Sequence, residues 1–121
     1  MSKRTDRLLI EDMYKATERT LKYTAGFDEQ LFLEQEQTID SVVRNIQIIG
    51  EAATRLSKEF KEAHPDIEVQ AITGMRHRLV HDYFEVEERL IWRVVETKLP
   101  DLNQWLKKIL GPDMDGSTKR E

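Results

Sequence analysis

The amino-acid sequence predicts an all-α bundle of four to five helices with one long central helix. Three observations carry that expectation. Apolar residues recur at steps of three and four along most of the chain. Glycine (5) and proline (3) are too scarce for the turns of a β sandwich. No stretch shows the period-two alternation of a half-buried strand.

In the first helix Ile10, Met13, Thr17, Leu21 and Thr24 share one face, widened by Leu9 and Ala16. Thr5 or Ser2 can cap this helix, Gly26 ends it, and Asp28 can cap the next segment. The strongest pattern is Ile39, Val42, Ile46, Ile49, Ala53, Leu56 and Phe60, a narrow stripe suited to a long helix packed on antiparallel neighbours. Glu34-Gln35-Glu36-Gln37 contains no Gly or Pro and leads into it without a break. The helix is expected to stop near His64, because Pro65 disfavours the α region for the residue before it. Asp66 can cap a third helix carrying Ile67, Ile72, Met75 and Leu79. Gly74 inside it costs about 1 kcal/mol against Ala, a cost that a close helix approach would justify. Phe84-Glu85-Val86 breaks the pattern. Leu90, Ile91, Val94 and Val95 begin a fourth helix, which Pro100 interrupts, and Leu102, Trp105, Leu106 and Ile109 continue it until Gly111-Pro112. Residues 1–112 thus form the bundle and 113–121 a flexible polar tail.

Composition bounds the function. A chain of 121 residues is one domain with one core, which excludes barrel enzymes, kinases and two-domain dehydrogenases. Cysteine is absent, so no disulfide, thiolate nucleophile or Cys-based zinc site exists. The net charge of −4 excludes a uniformly basic nucleic-acid domain, so any contact with a polyanion must come from a local cluster. Met1-Ser2-Lys3-Arg4-Thr5-Asp6-Arg7 before Leu8-Leu9-Ile10 is too charged and short for a signal peptide. No run approaches the roughly 18 apolar residues of a membrane span. A cytoplasmic protein without a membrane partner is expected.

The local cluster is Gly74-Met75-Arg76-His77-Arg78-Leu79-Val80-His81-Asp82-Tyr83-Phe84, which holds two of the three histidines. Three chemistries compete for it. His77 and His81 stand at i and i+4, with Glu85 a further step along, and such a pair can share a zinc ion. A zinc protease helix needs Glu directly after the first His, however, and Arg78 stands there with a charge that repels a cation. The second chemistry is metal-free RNA cleavage. Histidine accepts a proton near neutral pH, and arginine offers a permanently charged fork to phosphate oxygens. His81 and Arg76 fill those roles, and Tyr83 can donate to the phosphate or stack on a base. In the third, Arg76 pairs with an acid, His81 is a satisfied buried histidine and Tyr83 packs.

Spacing constrains the second chemistry. On a straight helix Arg76 and His81, five apart, are separated by about 140° around the axis, whereas Arg76 and Tyr83 nearly align. Either the helix ends before His81 or two copies of the chain converge on one site. A homodimer is the favoured expectation, since it also supplies a second His81 for separate acid and base roles.

Arg76, four residues, His81, any residue and Tyr83 match the Arg-x4-6-His-x-Tyr signature of HepT-like toxins in the HEPN superfamily, which this sequence resembles. His77 fits the superfamily's preference for a polar residue after the arginine. Ile48-Ile49-Gly50-Glu51-Ala52-Ala53 resembles the family's long helix, and Pro65-Asp66-Ile67 with Ala71-Ile72 precedes the motif as it does there. Tyr83-Phe84-Glu85-Val86, Trp92 and Leu99-Pro100-Asp101-Leu102 complete a likeness running from about residue 6 to about residue 110. The resemblance implies a HEPN-type helical bundle that dimerises and acts as a metal-independent endoribonuclease toxin without a cofactor. It also implies a nucleotidyltransferase antitoxin, MntA, that transfers AMP to Tyr83. Added phosphates there would place negative charge where the RNA phosphate must bind beside Arg76. The sequence departs from the family at Asp82, where relatives often carry a small or neutral residue. That carboxylate would either orient His81 and raise its pKa or repel RNA. The alternative function is a non-catalytic HEPN module that binds nucleotide or regulates through its nucleotidyltransferase partner.

Other residues carry weaker expectations. Arg44 and Glu51, seven apart on the long helix, can brace the motif, cross a dimer or form surface ion pairs. Arg78, Arg89 and Arg93 either extend a phosphate-binding surface that holds substrate or are ordinary surface charge. His64 reads as a helix-end residue interacting with the dipole, and Trp92 and Trp105 as core or interface anchors.

Overall fold

The computed structural model describes residues 5–65 and 88–111. Among these all regular structure is helical, with no strand. Helix α1 spans Asp6–Tyr23, α2 Glu29–Leu33, α3 Glu36–Arg55 and α4 Lys58–Ala63. After the undescribed segment, α5 (Glu88–Arg93) runs through a π-helical turn (Val94–Lys98) into α6 (Leu99–Leu110). The expected third helix with its Asp66 cap and Gly74, and the tail 113–121, lie outside the described residues.

Helix α1 is the centre of the bundle, packed on α3 along one side and on α6 along another. Its first turn is capped as its sequence dictates. The Thr5 Oγ1 accepts from the Leu8 N–H at 3.3 Å, satisfying one of the donors that a helix start leaves open. Its buried face is Leu9, Ile10, Met13, Ala16, Thr17 and Thr20, close to the expected stripe, with Thr24 buried just past its end. Gly26 adopts φ +79°, the left-handed conformation that lets the chain reverse. Asp28 then caps α2 by accepting from the Leu31 N–H at 2.9 Å.

The polar run before the long helix does break. Helix α2 ends at Leu33 with Glu34 as its C-cap, and α3 starts after Gln35 without a side-chain cap. Helix α3 buries Ile39, Val42, Ile46, Ile49 and Ala53, which face α1 and make up much of the core.

The long stripe is not one helix. The expected run to His64 divides at Leu56-Ser57, with Leu56 in extended backbone geometry (φ −60°, ψ 142°) and Ser57 capping α4. A distant carboxylate holds the break. Asp6 Oδ1 accepts the Ser57 N–H at 2.8 Å, and Asp6 Oδ2 accepts the Ser57 hydroxyl at 2.6 Å. Ser57 Oγ in turn accepts the Phe60 N–H at 3.0 Å. The start of α1 thereby fixes the corner between α3 and α4. Periodicity misses this because the step between Leu56 and Phe60 stays in phase across the corner.

Pro100, expected to interrupt the last helix, is instead absorbed. The proline has no N–H, and its ring crowds the carbonyl four residues back. The chain accommodates both by widening into the π turn, where the Leu99 N–H reaches back five residues to the Val94 carbonyl. Ile91, Trp92, Val95, Leu99, Leu106 and Leu110 are buried along the combined rod, while Leu90 is exposed rather than in the core. Gly111 ends α6 with φ +75°, its N–H bonded to the Lys107 carbonyl.

Two polar links fix the register of α1. Asn103 Nδ2 donates to Thr17 Oγ1 at 2.9 Å and to Glu18 Oε2 at 2.8 Å, tying α6 to α1. Arg19 Nε donates to Asn45 Oδ1 at 3.0 Å, tying α1 to α3. Thr17, Asn45 and Asn103 are all buried, so these bonds cannot be exchanged freely for water.

Asp6→Ala is expected to lower the unfolding free energy by about 1–3 kcal/mol, because the Ser57 N–H loses its acceptor in a half-buried corner. Asp6→Asn retains one acceptor and is expected to cost less. Urea unfolding of the three proteins at matched pH checks the order.

Candidate functional site

The sequence places its chemistry between the end of α4 and the start of α5. Arg76, His77, Arg78, His81, Asp82, Tyr83 and Glu85 lie outside the described residues. The structure fixes how the chain enters and leaves that segment.

The entry is an aromatic corner. The His64 ring stacks on Phe60 one turn earlier, with centroids 4.2 Å apart and planes 25° from parallel. Trp105 of α6 meets both rings edge-on, at 6.4 Å from Phe60 and 6.0 Å from His64. His64 Nδ1 lies 3.1 Å from the Phe60 carbonyl oxygen. A carbonyl only accepts, so Nδ1 carries the proton in this contact. His64 is therefore the helix-end residue the sequence suggested, joined to one of the carbonyls that a helix terminus leaves open.

The exit is anchored by α2. Phe32, fully buried, packs on Trp92 with centroids 5.1 Å apart. Arg89 Nε donates to Glu29 Oε2 at 3.1 Å, an exposed pair beside that apolar contact. Glu29 and Arg89 are sixty positions apart, so no local spacing announces the pair. The i, i+4 spacing of Phe60 and His64, by contrast, is a signal that could have found the aromatic corner.

The remaining candidates separate cleanly. Arg89, a candidate for phosphate contact, is engaged by Glu29. Arg93 is exposed, and its carbonyl accepts the Thr97 hydroxyl at 2.6 Å. Arg44 and Glu51 both lie on the exposed side of α3. Trp92 is a core anchor and Trp105 a half-buried one. Among the described residues no group of three or more His, Asp or Glu side chains could hold a metal ion.

Comparison with known proteins places this arrangement. The family model described as ribonuclease HepT-like matches residues 13–109, which takes in the long helix, the motif segment and most of α6. The chain belongs to the ribonuclease HepT-like family. The resemblance read from Arg76, His81 and Tyr83 and from their frame is thus the right one. A protein of Caldanaerobacter subterraneus provisionally named an RNase is 34% identical over 107 residues, covering 88% of this chain and 96% of its own. The Thermococcus cleftensis protein named "Probable ribonuclease HepT" is 33% identical over 107 residues, covering 88% and 97%. A Methanocaldococcus jannaschii protein, also provisionally named an RNase, is 27% identical over 116 residues, covering 96% and 95%. No solved structure matches this chain significantly. No helix among the described residues of this HepT-like protein is long and apolar enough to cross a membrane.

The grip of α2 on α5 is expected to be apolar rather than ionic. Phe32→Ala should cost about 3–5 kcal/mol through a lost core aromatic, whereas Arg89→Ala should change stability by less than about 1 kcal/mol. Chemical denaturation of both variants tests the contrast, and comparable losses would contradict it.

Proposed function

We propose that this HepT-like chain is the toxin of a toxin-antitoxin pair, an endoribonuclease that cleaves RNA without a metal ion. The single observation that supports it is the coincidence of Arg76, His81 and Tyr83, in the family's order and spacing, with the stretch matched by a ribonuclease family model. His81 takes the proton of a ribose 2′-hydroxyl. The oxygen attacks the adjacent phosphorus, and the bond to the 5′-oxygen breaks. The products are a 2′,3′-cyclic phosphate and a 5′-hydroxyl that receives a proton from a general acid. Arg76 holds the non-bridging oxygens as their charge grows in the transition state. Tyr83, His77 and Arg78 bind the substrate, and a homodimer brings two such sets together so that one His81 acts as base and the other as acid.

Control is proposed to lie with an MntA-like nucleotidyltransferase. The Tyr83 phenolic oxygen attacks the α-phosphorus of ATP, pyrophosphate leaves, and the tyrosine carries AMP. The added charge then blocks the place of the RNA phosphate beside Arg76.

Purified protein is expected to cleave RNA in excess EDTA, and Arg76→Ala and His81→Ala each to reduce the rate by at least about 100-fold. Cleavage that survives in both variants, or vanishes on chelation, would remove the proposal. For the control step, intact mass after incubation with ATP and the nucleotidyltransferase should rise by multiples of an AMP group in the wild type. Tyr83→Phe should show no rise, and an unchanged increment in that variant would place the modification elsewhere.

A further inference from the structure

The aromatic corner at the end of α4 is a stacked pair of rings with a third ring set edge-on beside it. Phe60 and Trp105 are half-buried and pack against the hydrophobic core. His64, also half-buried, stacks on Phe60, and Trp105 stands edge-on beside the pair. Its orientation is fixed three ways: by the stack on Phe60, by the edge of Trp105 and by the bond from Nδ1 to the Phe60 carbonyl. These are its interactions among the described residues, and of them only the stack on Phe60 covers a face of the ring. A planar ring held rigid on one side and partly exposed is the arrangement on which an unpaired nucleobase stacks, at little further entropic cost.

Charge on the same corner favours a nucleotide over an apolar peptide. Lys61 precedes His64 by one turn of α4, and Lys108 follows Trp105 by one turn of α6. Neither is in an ion pair among the described residues, whereas Lys58 is engaged by Glu62 at 4.0 Å. Asp101, one turn before Trp105, is the acid on that face of α6, so Lys108 flanks the indole from the opposite side. An aromatic platform with cations beside it meets both halves of a single-stranded nucleotide, base and phosphate.

We propose that the outer face of His64, backed by Phe60, edged by Trp105 and flanked by Lys61 and Lys108, is a stacking shelf for an unpaired base of single-stranded RNA. This rests on the reading of the protein as a ribonuclease. The shelf grips substrate outside the Arg76–His81–Tyr83 motif, ten residues before that segment begins at Gly74, and contributes to affinity rather than to bond cleavage.

Two features of the chain make a direct test available. Trp92 is 6% exposed, so a Trp92→Phe protein keeps its one remaining indole in the corner. Stacking also does not need the 2′-hydroxyl, so a single-stranded deoxyoligonucleotide binds without being cleaved. Titrating the full-length Trp92→Phe protein with an oligodeoxyadenylate should quench the Trp105 fluorescence. His64→Ala should weaken that binding roughly tenfold, His64→Phe should restore it, and Lys108→Glu should weaken it most at low salt. On RNA, His64→Ala should raise KM about as much while leaving kcat unchanged. Circular dichroism confirms that each variant is folded, and the recovery in His64→Phe separates a stacking role from a structural one.

Absence of quenching, or equal affinity of the wild type and His64→Ala, overturns the shelf. So does a His64→Ala defect confined to binding of the nucleotidyltransferase, which would make the corner a protein interface. Oligonucleotide binding that shows this pattern without any RNA cleavage would sustain the shelf and overturn the ribonuclease reading instead. Cleavage with an unchanged KM in His64→Ala would do the reverse.

Discussion

The bundle depends on burying α1 on two sides at once. A helix packed against one neighbour can slide or rotate along an apolar stripe at little cost, because dispersion and hydrophobic contacts are not directional. Here the side of α1 that meets α6 carries Thr17 and Glu18, both gripped by Asn103, and the side that meets α3 carries Arg19, gripped by Asn45. Buried donors that lose their acceptors are expensive. A shift of α1 by one turn would strand the amide of Asn103, while the Thr17 hydroxyl would keep its bond to the Tyr14 carbonyl. Apolar burial supplies the drive to associate, and these few polar bonds select one register.

That register has consequences at the far corners. With α1 fixed, Asp6 at its start stands where the chain leaves α3, and its carboxylate stabilises the reversal at Ser57 by accepting two hydrogen bonds. The reversal directs α4 so that Phe60 and His64 meet Trp105 of α6. On the other side, α2 seats Phe32 against Trp92 and sets the start of α5. The two ends of the described chain that flank residues 66–87 are thus each built around packed aromatic rings, Phe60, His64 and Trp105 on one side and Phe32 with Trp92 on the other.

Much of this was legible in the chain. The α class, the Thr5 and Asp28 caps, the buried faces of α1 and α3 and the stop at Gly111 come from local rules, since each depends on residues within one or two turns. The family was legible for another reason: Arg76, His81 and Tyr83 sit in a frame of long-helix and Pro-Asp-Ile segments that spans most of the sequence. Local signals mislead where each is assumed to act alone. By the local rule Pro100 interrupts a helix, whereas backbone widening at Val94–Lys98 carries the helix past it. Periodicity puts Leu90 in the core, whereas the rod rotates it outward and buries Ile91 and Trp92.

The sequence alone determined the all-α class, the caps at Thr5 and Asp28, most of the inward faces of α1 and α3 and the family, because capping and periodicity are properties of neighbouring positions and the family frame spans most of the chain. Only the tertiary structure decided that α3 ends at Arg55, that Glu29 meets Arg89, and that Trp105 meets Phe60 and His64 edge-on. Each of these joins residues far apart in the chain, or depends on a partner at such a distance. Meetings of that kind are set by how packed helices cross, and no local pattern encodes that geometry.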